Sequence, residues 1–230
     1  MSSYKLALTF QAESKVSSQE VLIAQAVVAG WTGRDPNAVE KHIRELEALG
    51  VRRPATTPIF YRVAAARVTI DAEIEATGED SGGEAEFVLL QHEGNLWVGA
   101  GSDHTDRKVE TYGVTVSKQM CDKPIAPLLW LYADVAPHWD RLMLRSHVTT
   151  GEGRTLYQEG SVAAMLDPAN LISRYTRGGN LREGTLMFCG TLAARGGVRP
   201  TANFEFELED PVLGRKIAHA YRVNCLPVLG

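Results

Sequence analysis

Along most of this chain apolar and polar positions alternate with the period of two that suits a strand, and only once, clearly, does a helical period take over. Residues 4–10, Tyr-Lys-Leu-Ala-Leu-Thr-Phe, alternate imperfectly and predict a first strand, followed by a polar turn through Glu13 and Ser14. Residues 19–30 carry Val21, Leu22, Ala24, Val27 and Val28 up to Gly30, a run compatible with a buried strand or a short helix. The helical stretch runs from Pro36 to Leu49. Asp35 can cap it, Pro36 suits its first turn, Gly50 suits its end, and Val39, Ile43, Leu46 and Leu49 trace an apolar stripe. From Pro58 onward the spacing predicts strands over 59–63, 67–74, 84–90, 96–100, 112–116, 185–189, 202–208 and 218–223, separated by Gly and Asp clusters. Short helices are expected over 131–141 and 168–174. The fold class that follows is α+β and β-rich, with few short helices.

The chain has 230 residues, enough for one main domain, expected over 35–230, with an N-terminal appendage of strands over 1–34. Apolar residues at 44% and charged residues at 23% describe an ordinary folded protein. A formal net charge of −4 gives no basis for a nucleic-acid partner. The longest apolar runs, 21–28 and 125–130, fall short of the roughly 20 residues that cross a bilayer, so no membrane role is expected. The first residues, Met1-Ser-Ser-Tyr-Lys-Leu, do not read as a secretory signal, which sets the expected location in the cytoplasm. Cys121, Cys189 and Cys225 are odd in number and widely spaced; they are expected to be reduced and mostly buried.

Candidate chemistry concentrates after the helix. Glu84-Ala85-Glu86 opens a strand, and alternation places both carboxylates on one face, where a hard divalent cation would turn their repulsion into attraction. A lone Glu-x-Glu more often marks a solvated edge strand, so the pair needs support. Asp103 gives some: it follows the next strand and the small-residue run Gly99-Ala100-Gly101-Ser102, where a backbone can bend or approach a ligand. His104 beside it reads as a supporting group. His42 and Glu45 sit three apart on the helix, a titratable pair beside the apolar stripe. His138 reads as structural, and Trp97, Trp130 and Trp139 as core or pocket wall.

Taken in order, these residues resemble the fumarylacetoacetate hydrolase superfamily. His42-Ile-Arg-Glu45 and Pro58-Ile-Phe60-Tyr-Arg62 look like its His-x-x-Glu helix and the Pro-x-x-Phe-x-Lys stretch after it. Glu84-x-Glu86 and Asp103-His-Thr105-Asp-Arg107 are similar to its metal-ligand segments, and Lys118 falls where the family keeps an active-site lysine. Tyr157-Gln158-Glu-Gly160-Ser161 with Met165, and Leu181-Arg-Glu-Gly184 with Gly190-Thr191, continue the likeness, which spans residues 35–198. Departures are present: no Asn-Tyr precedes His42, Thr185 stands for an aspartate, Leu192 for a proline, and the stretch between Glu86 and Asp103 is short.

The resemblance implies a twisted β-roll around a Mg²⁺ or Mn²⁺ ion held by Glu84, Glu86 and Asp103, usually in a homodimer. It implies a His42–Glu45 base dyad, Lys118 as a second positive group, and substrate contacts from Arg107, Gly190 and Thr191. The expected function is metal-dependent hydrolysis of a carbon–carbon bond in a small acylpyruvate-like carboxylate. Decarboxylation, hydration or tautomerisation of a related 2-keto acid is the rival on the same scaffold, and a non-catalytic ligand-binding relative is a third reading.

Overall fold

The computed structural model describes residues 4–48, 53–151 and 153–229, with the side chains of His42, Glu45, Leu46 and Ala48 outside that description. In chain order the principal elements begin with strands β1 (Tyr4–Ala12), β2 (Lys15–Ile23) and β3 (Gln25–Gly30), then helix α1 (Pro36–Ala48). Strands β4 (Ile59–Val63), β5 (Glu73–Thr77), β6 (Ala85–His92) and β7 (Asn95–Ser102) lead to helices α2 (Arg107–Glu110) and α3 (Val114–Met120). Strands β8 (Leu128–Leu131), β9 (Met143–Thr150) and β10 (Gly153–Ser161) precede helix α4 (Pro168–Thr176), and strands β11 (Thr185–Thr191), β12 (Asn203–Asp210) and β13 (Arg215–Leu226) complete the chain.

Eight strands form one sheet in the order β2-β1-β8-β7-β6-β11-β3-β4, and five form a second in the order β10-β9-β12-β13-β5. The run Phe87-Val88-Leu89-Leu90 in β6 shows how the chain specifies this. Phe87 and Leu89 enter one core and Val88 and Leu90 another, as neighbours on a strand must. The first core lies between the sheets, where Phe87 stands edge-on to Trp139 at 5.0 Å and meets Phe204, Phe206 and Tyr221 of the second sheet. The second core joins Leu6, Leu8, Val21 and Ile23 near one edge of the large sheet to Tyr61 and Val63 at its other edge. Strands at opposite edges share one cluster only if the sheet curls on itself, and the architecture is the expected β-roll with few short helices.

Several expectations are corrected. Within segment 1–34, β1 and β3 pair in parallel with β8 and β11 inside the large sheet. Residues 19–30 are strand throughout, apart from a break at Ala24. The strand expected over 67–74 is interrupted, because the Asp71 amide donates to the Thr69 hydroxyl and that hydroxyl to the Asp71 carboxylate, closing a local turn before β5. Residues 112–116 are not a strand: 112 and 113 lead into α3 and 114–116 form its first turn, after which the helix buries Ser117 and Lys118. The expected helix over 131–141 is one α-turn followed by a 3₁₀ segment kinked at His138, after Pro137. The hairpin β9–β10 was not foreseen.

Asp210 ties this 3₁₀ segment to the second sheet. Fully buried at the end of β12, its Oδ1 accepts from the amides of Val212 and Leu213 at 3.0 and 3.1 Å and lies 3.0 Å from His138 Nε2. Burial pushes the carboxyl up, but the Leu213 amide, His138 and the Val212 amide outweigh it and hold Asp210 below the usual carboxylate range. A group depressed in the folded state adds stability above its unfolded pKa, about 3.9, and loses it as pH falls through the folded value. Asp210→Asn should therefore lower the unfolding free energy at neutral pH by about 1–3 kcal/mol. It should also flatten the fall in stability below about pH 4, both read from urea midpoints across pH.

Candidate active site

The site starts from the register of β6 against β7. Ala85 pairs with Ser102 and Glu86 with Gly101, and one step beyond the ladder the Asp103 amide donates to the Glu84 carbonyl at 2.9 Å. Residues opposite each other in an antiparallel ladder share a face, as do residues two apart on one strand. Glu84, Glu86 and Asp103 are thus gathered at the end of one hairpin, on the side where Val88 and Leu90 enter the core of the roll. Gly99 and Gly101 serve this arrangement by packing: a Cβ on Gly101 would lie 2.7 Å from Phe188 and 2.9 Å from Val88.

Each carboxylate arrives with partners. Glu86, 2% exposed, accepts from the Gly190 amide at 2.7 Å. That amide is free of the ladder because β11 shifts register against β6 between Phe188 and Thr191, where Gly190 takes φ 97°. Glu84 is held by Arg107 at 3.3 Å; the same guanidinium pairs with Glu110 at 2.9 Å and donates to the Gly82 carbonyl at 2.8 Å. Asp103, fully buried, lies between two ammonium groups: Lys118 of α3 donates to Oδ2, and Lys123 Nζ is 3.3 Å from Oδ1.

The charges follow from these contacts. Burial raises the Glu86 carboxyl well above the usual range, and the charge on Asp103 adds to the effect. Burial acts on Asp103 in the same direction, but Lys118 and Lys123 outweigh it and hold this carboxyl at about 2. Burial lowers Lys118, yet Asp103, Glu84 and Glu110 more than compensate and keep it an ammonium. His104 is brought down to about 3 by burial and by the charges of Lys123 and Arg107. Neutral, it bridges Tyr221 and Ser81, each at 2.9 Å, as a supporting group.

Other residues read from the sequence fall nearby. The Thr191 hydroxyl donates to the Ala85 carbonyl at 2.7 Å and accepts from Gln158 at 2.7 Å. Gln158 also holds the Ala85 amide, the Ser146 hydroxyl and the Leu192 carbonyl. His42 and Glu45 lie on α1, whose Ile43 is buried, while their own side chains lie outside the described residues. A cavity of about 180 Å³ opens beside α1, lined by Trp31, Val39, Ile43, Pro58 and Leu166 among others, and the three carboxylates do not line it. Lys123 went unread in the sequence, as did Tyr61, whose ring centre is 5.9 Å from Lys118 Nζ. The available signal for Lys123 was a single charged residue entering the apolar run Pro-Ile-Ala-Pro.

The donor set suits a divalent cation in kind. Three buried or half-buried carboxylates supply hard oxygens; among the described residues Arg107, Lys118 and Lys123 balance Glu84, Glu110 and Asp103, and a divalent cation would favour the ionised form of Glu86 that burial opposes. With Lys118 on Asp103, no group of three His, Cys, Asp or Glu among the described residues stands in ligating geometry.

The architecture is the fumarylacetoacetate hydrolase-like fold. The fumarylacetoacetate hydrolase of psychrophilic Exiguobacterium antarcticum is 16% identical, with 93% of this chain and 84% of that one covered and a TM-score of 0.58. A 2-keto-3-deoxy-D-arabinonate dehydratase complexed with magnesium and 2,5-dioxopentanoate is 12% identical, covering 93% and 86%, with a TM-score of 0.59. The 4-oxalocrotonate decarboxylase of Pseudomonas putida G7, complexed with calcium and acetate, is 15% identical, covering 87% and 79%, with a TM-score of 0.53. The chain belongs to the family described as protein of unknown function DUF2848, whose model matches residues 29–221. No curated protein matches the sequence. Among the described residues no helix is long and apolar enough to cross a membrane.

The Gly190 bulge yields a direct test. A Cβ there would fall 1.7 Å from the Thr32 hydroxyl, at a φ that side chains rarely adopt. Gly190→Ala should lower the unfolding free energy by at least about 2 kcal/mol, measured by urea denaturation.

Proposed function

We propose that this protein is an enzyme acting on a small 2-keto or enol carboxylate, and that it hydrolyses a carbon–carbon bond of an acylpyruvate-like substrate. The observation that carries the reading is the buried convergence of Glu84, Glu86 and Asp103 with Lys118 at the end of one hairpin. Two proteins of the same fold give it chemical context, since one is complexed with magnesium and a dioxo acid and the other with calcium and acetate.

Glu84, Glu86 and Asp103 would hold Mg²⁺ or Mn²⁺, which when bound supplies positive charge against the negative charge developing on the substrate oxygens. Lys118, kept protonated by its acidic neighbours, adds a second positive group. His42 is assigned as the base that takes a proton from water at an imidazole nitrogen, with Glu45 orienting the ring. The water oxygen then bonds to the acyl carbon, the bond from that carbon to the neighbouring methylene breaks, the acyl part leaves as a carboxylate, and the proton held by His42 passes to the methylene carbon to give pyruvate. Gly190 and Thr191, expected as substrate donors, are assigned here to hold the carboxylate-bearing strands, because amide and hydroxyl are each engaged by the protein, whereas Arg107 engages Glu84, Glu110 and Gly82 through Nη1 and Nη2 and keeps an unpartnered Nε as a substrate donor. Assembly as a homodimer belongs to the same proposal.

Acetylpyruvate supplied with Mg²⁺ should yield pyruvate and acetate, followed by coupled reduction of the pyruvate, and EDTA should stop the reaction. Glu84→Gln, Glu86→Gln and His42→Ala should each lower kcat/KM by about 100-fold or more. Loss of carbon dioxide or water from a 2-keto acid, without acyl cleavage, would move the assignment to a lyase on the same residues. Folded protein that turns over none of these substrates with either metal would leave a ligand-binding role and remove the enzyme.

A further inference from the structure

Lys123 stands behind the candidate site, and the hydrolytic reading makes no use of it. Its side chain is fully buried. Nζ donates to the carbonyls of His104 at 2.5 Å and Cys121 at 3.2 Å, and lies 3.3 Å from Asp103 Oδ1. An ammonium has three hydrogens to place and no acceptor, so these partners account for all of them. Two carbonyls satisfy hydrogen bonds, but a buried charge also needs an opposite charge. Among the described residues the carboxylate that pairs with Lys123 is Asp103.

The backbone around Lys123 is fixed to the strand that delivers Asp103. Lys123 and Pro124 pair in parallel with Val68 and Thr69, Ile125 bridges Gly101, and the Ala126 amide donates to the Ala100 carbonyl at 2.9 Å. His104, next to Asp103, is pinned in turn between Tyr221 and Ser81. The ammonium is therefore held from its own side and cannot follow Asp103 if that carboxylate turns. Lys118 differs, since it approaches the other oxygen from α3 and retains slight exposure.

We propose that Lys123 is a positioning residue for Asp103, an internal cation that takes Oδ1 and fixes the rotation of this carboxylate, so that Oδ2 is turned toward Lys118 and the site. The proposal rests on Asp103 being a metal ligand, and its test separates the two ideas. Mn²⁺ binding is measured calorimetrically on the full-length apo protein, with thermal melts in EDTA to establish folding. Lys123→Met should weaken the Mn²⁺ Kd roughly 10–100-fold, and Lys123→Gln, which keeps amide donors, should recover part of the loss. Mn²⁺ bound by Lys123→Met as tightly as by the wild type overturns the proposal and leaves the metal reading standing. A wild-type protein that binds no Mn²⁺ removes both. Should neither Lys123 variant fold, the Lys118→Met protein labelled with ¹⁵N at the lysine ammonium groups decides. One exchange-protected ammonium signal that shifts on adding Mg²⁺ supports the proposal, and its absence or its indifference to Mg²⁺ overturns it.

Discussion

A carboxylate taken out of water loses hydration that only a cation or several aimed donors can replace. The β6–β7 ladder places Glu86 and Asp103 in that position, with Glu84 beside them, and the neighbouring structure is arranged around meeting the demand. Two short helices interrupt the strand pattern after β7, one bringing Arg107 and Glu110 and the other Lys118. The Asp106 carboxylate caps the first of these by accepting from the Val109 amide, so consecutive acids in the Asp103–Asp106 segment serve the buried cluster and the local chain direction respectively. Lys123 reaches Asp103 from a segment paired in parallel with Val68 and Thr69, outside the hairpin altogether.

The two-core architecture decides which side of β6 can hold polar chemistry. Its odd-numbered residues face the layer between the sheets, where Phe87 and Leu89 meet the aromatic residues of β12 and β13. Its even-numbered residues face the inside of the roll, so Glu86 enters a space bounded by Val88 and, across the bulge, Phe188. Gln158 couples the layers. From β10 of the second sheet it bonds the Ala85 amide, the Thr191 hydroxyl and the Leu192 carbonyl, filling both ends of its amide. The strand carrying Glu86 is thereby fixed on one face by hydrogen bonds and on the other by charge.

What was legible in the sequence follows the same division. The Glu84–Glu86 pair was readable from strand alternation, a local rule, and Asp103 from its place after the next strand together with the family resemblance; the register that brings them to one hairpin end is a property of the fold. α3 was misread because Val114, Thr115 and Val116 are β-branched and alternate, while the helix is decided by tertiary contact, namely the reach of Lys118 to Asp103. The hairpin β9–β10 escaped notice because its outer face carries charges paired across strands, such as Arg145 with Glu159, which blur the alternation. Lys123 offered only the weak signal of a charge entering an apolar run, because its role depends on a parallel contact with residues more than fifty positions away.

The departures from the family pattern can be weighed by the same constraint. Thr185 replaces a charged residue at the start of β11, at the end opposite the Gly190 bulge, where parallel pairing with Gln25 buries it. A neutral side chain suits that position better than a carboxylate without a cation. Leu192 replaces a proline, yet the contact that matters there is its backbone carbonyl, which any residue supplies to Gln158, while its side chain packs against Gly160. Neither change touches the groups that balance Glu86 and Asp103. They alter instead the two ends of β11 and leave the buried charges undisturbed.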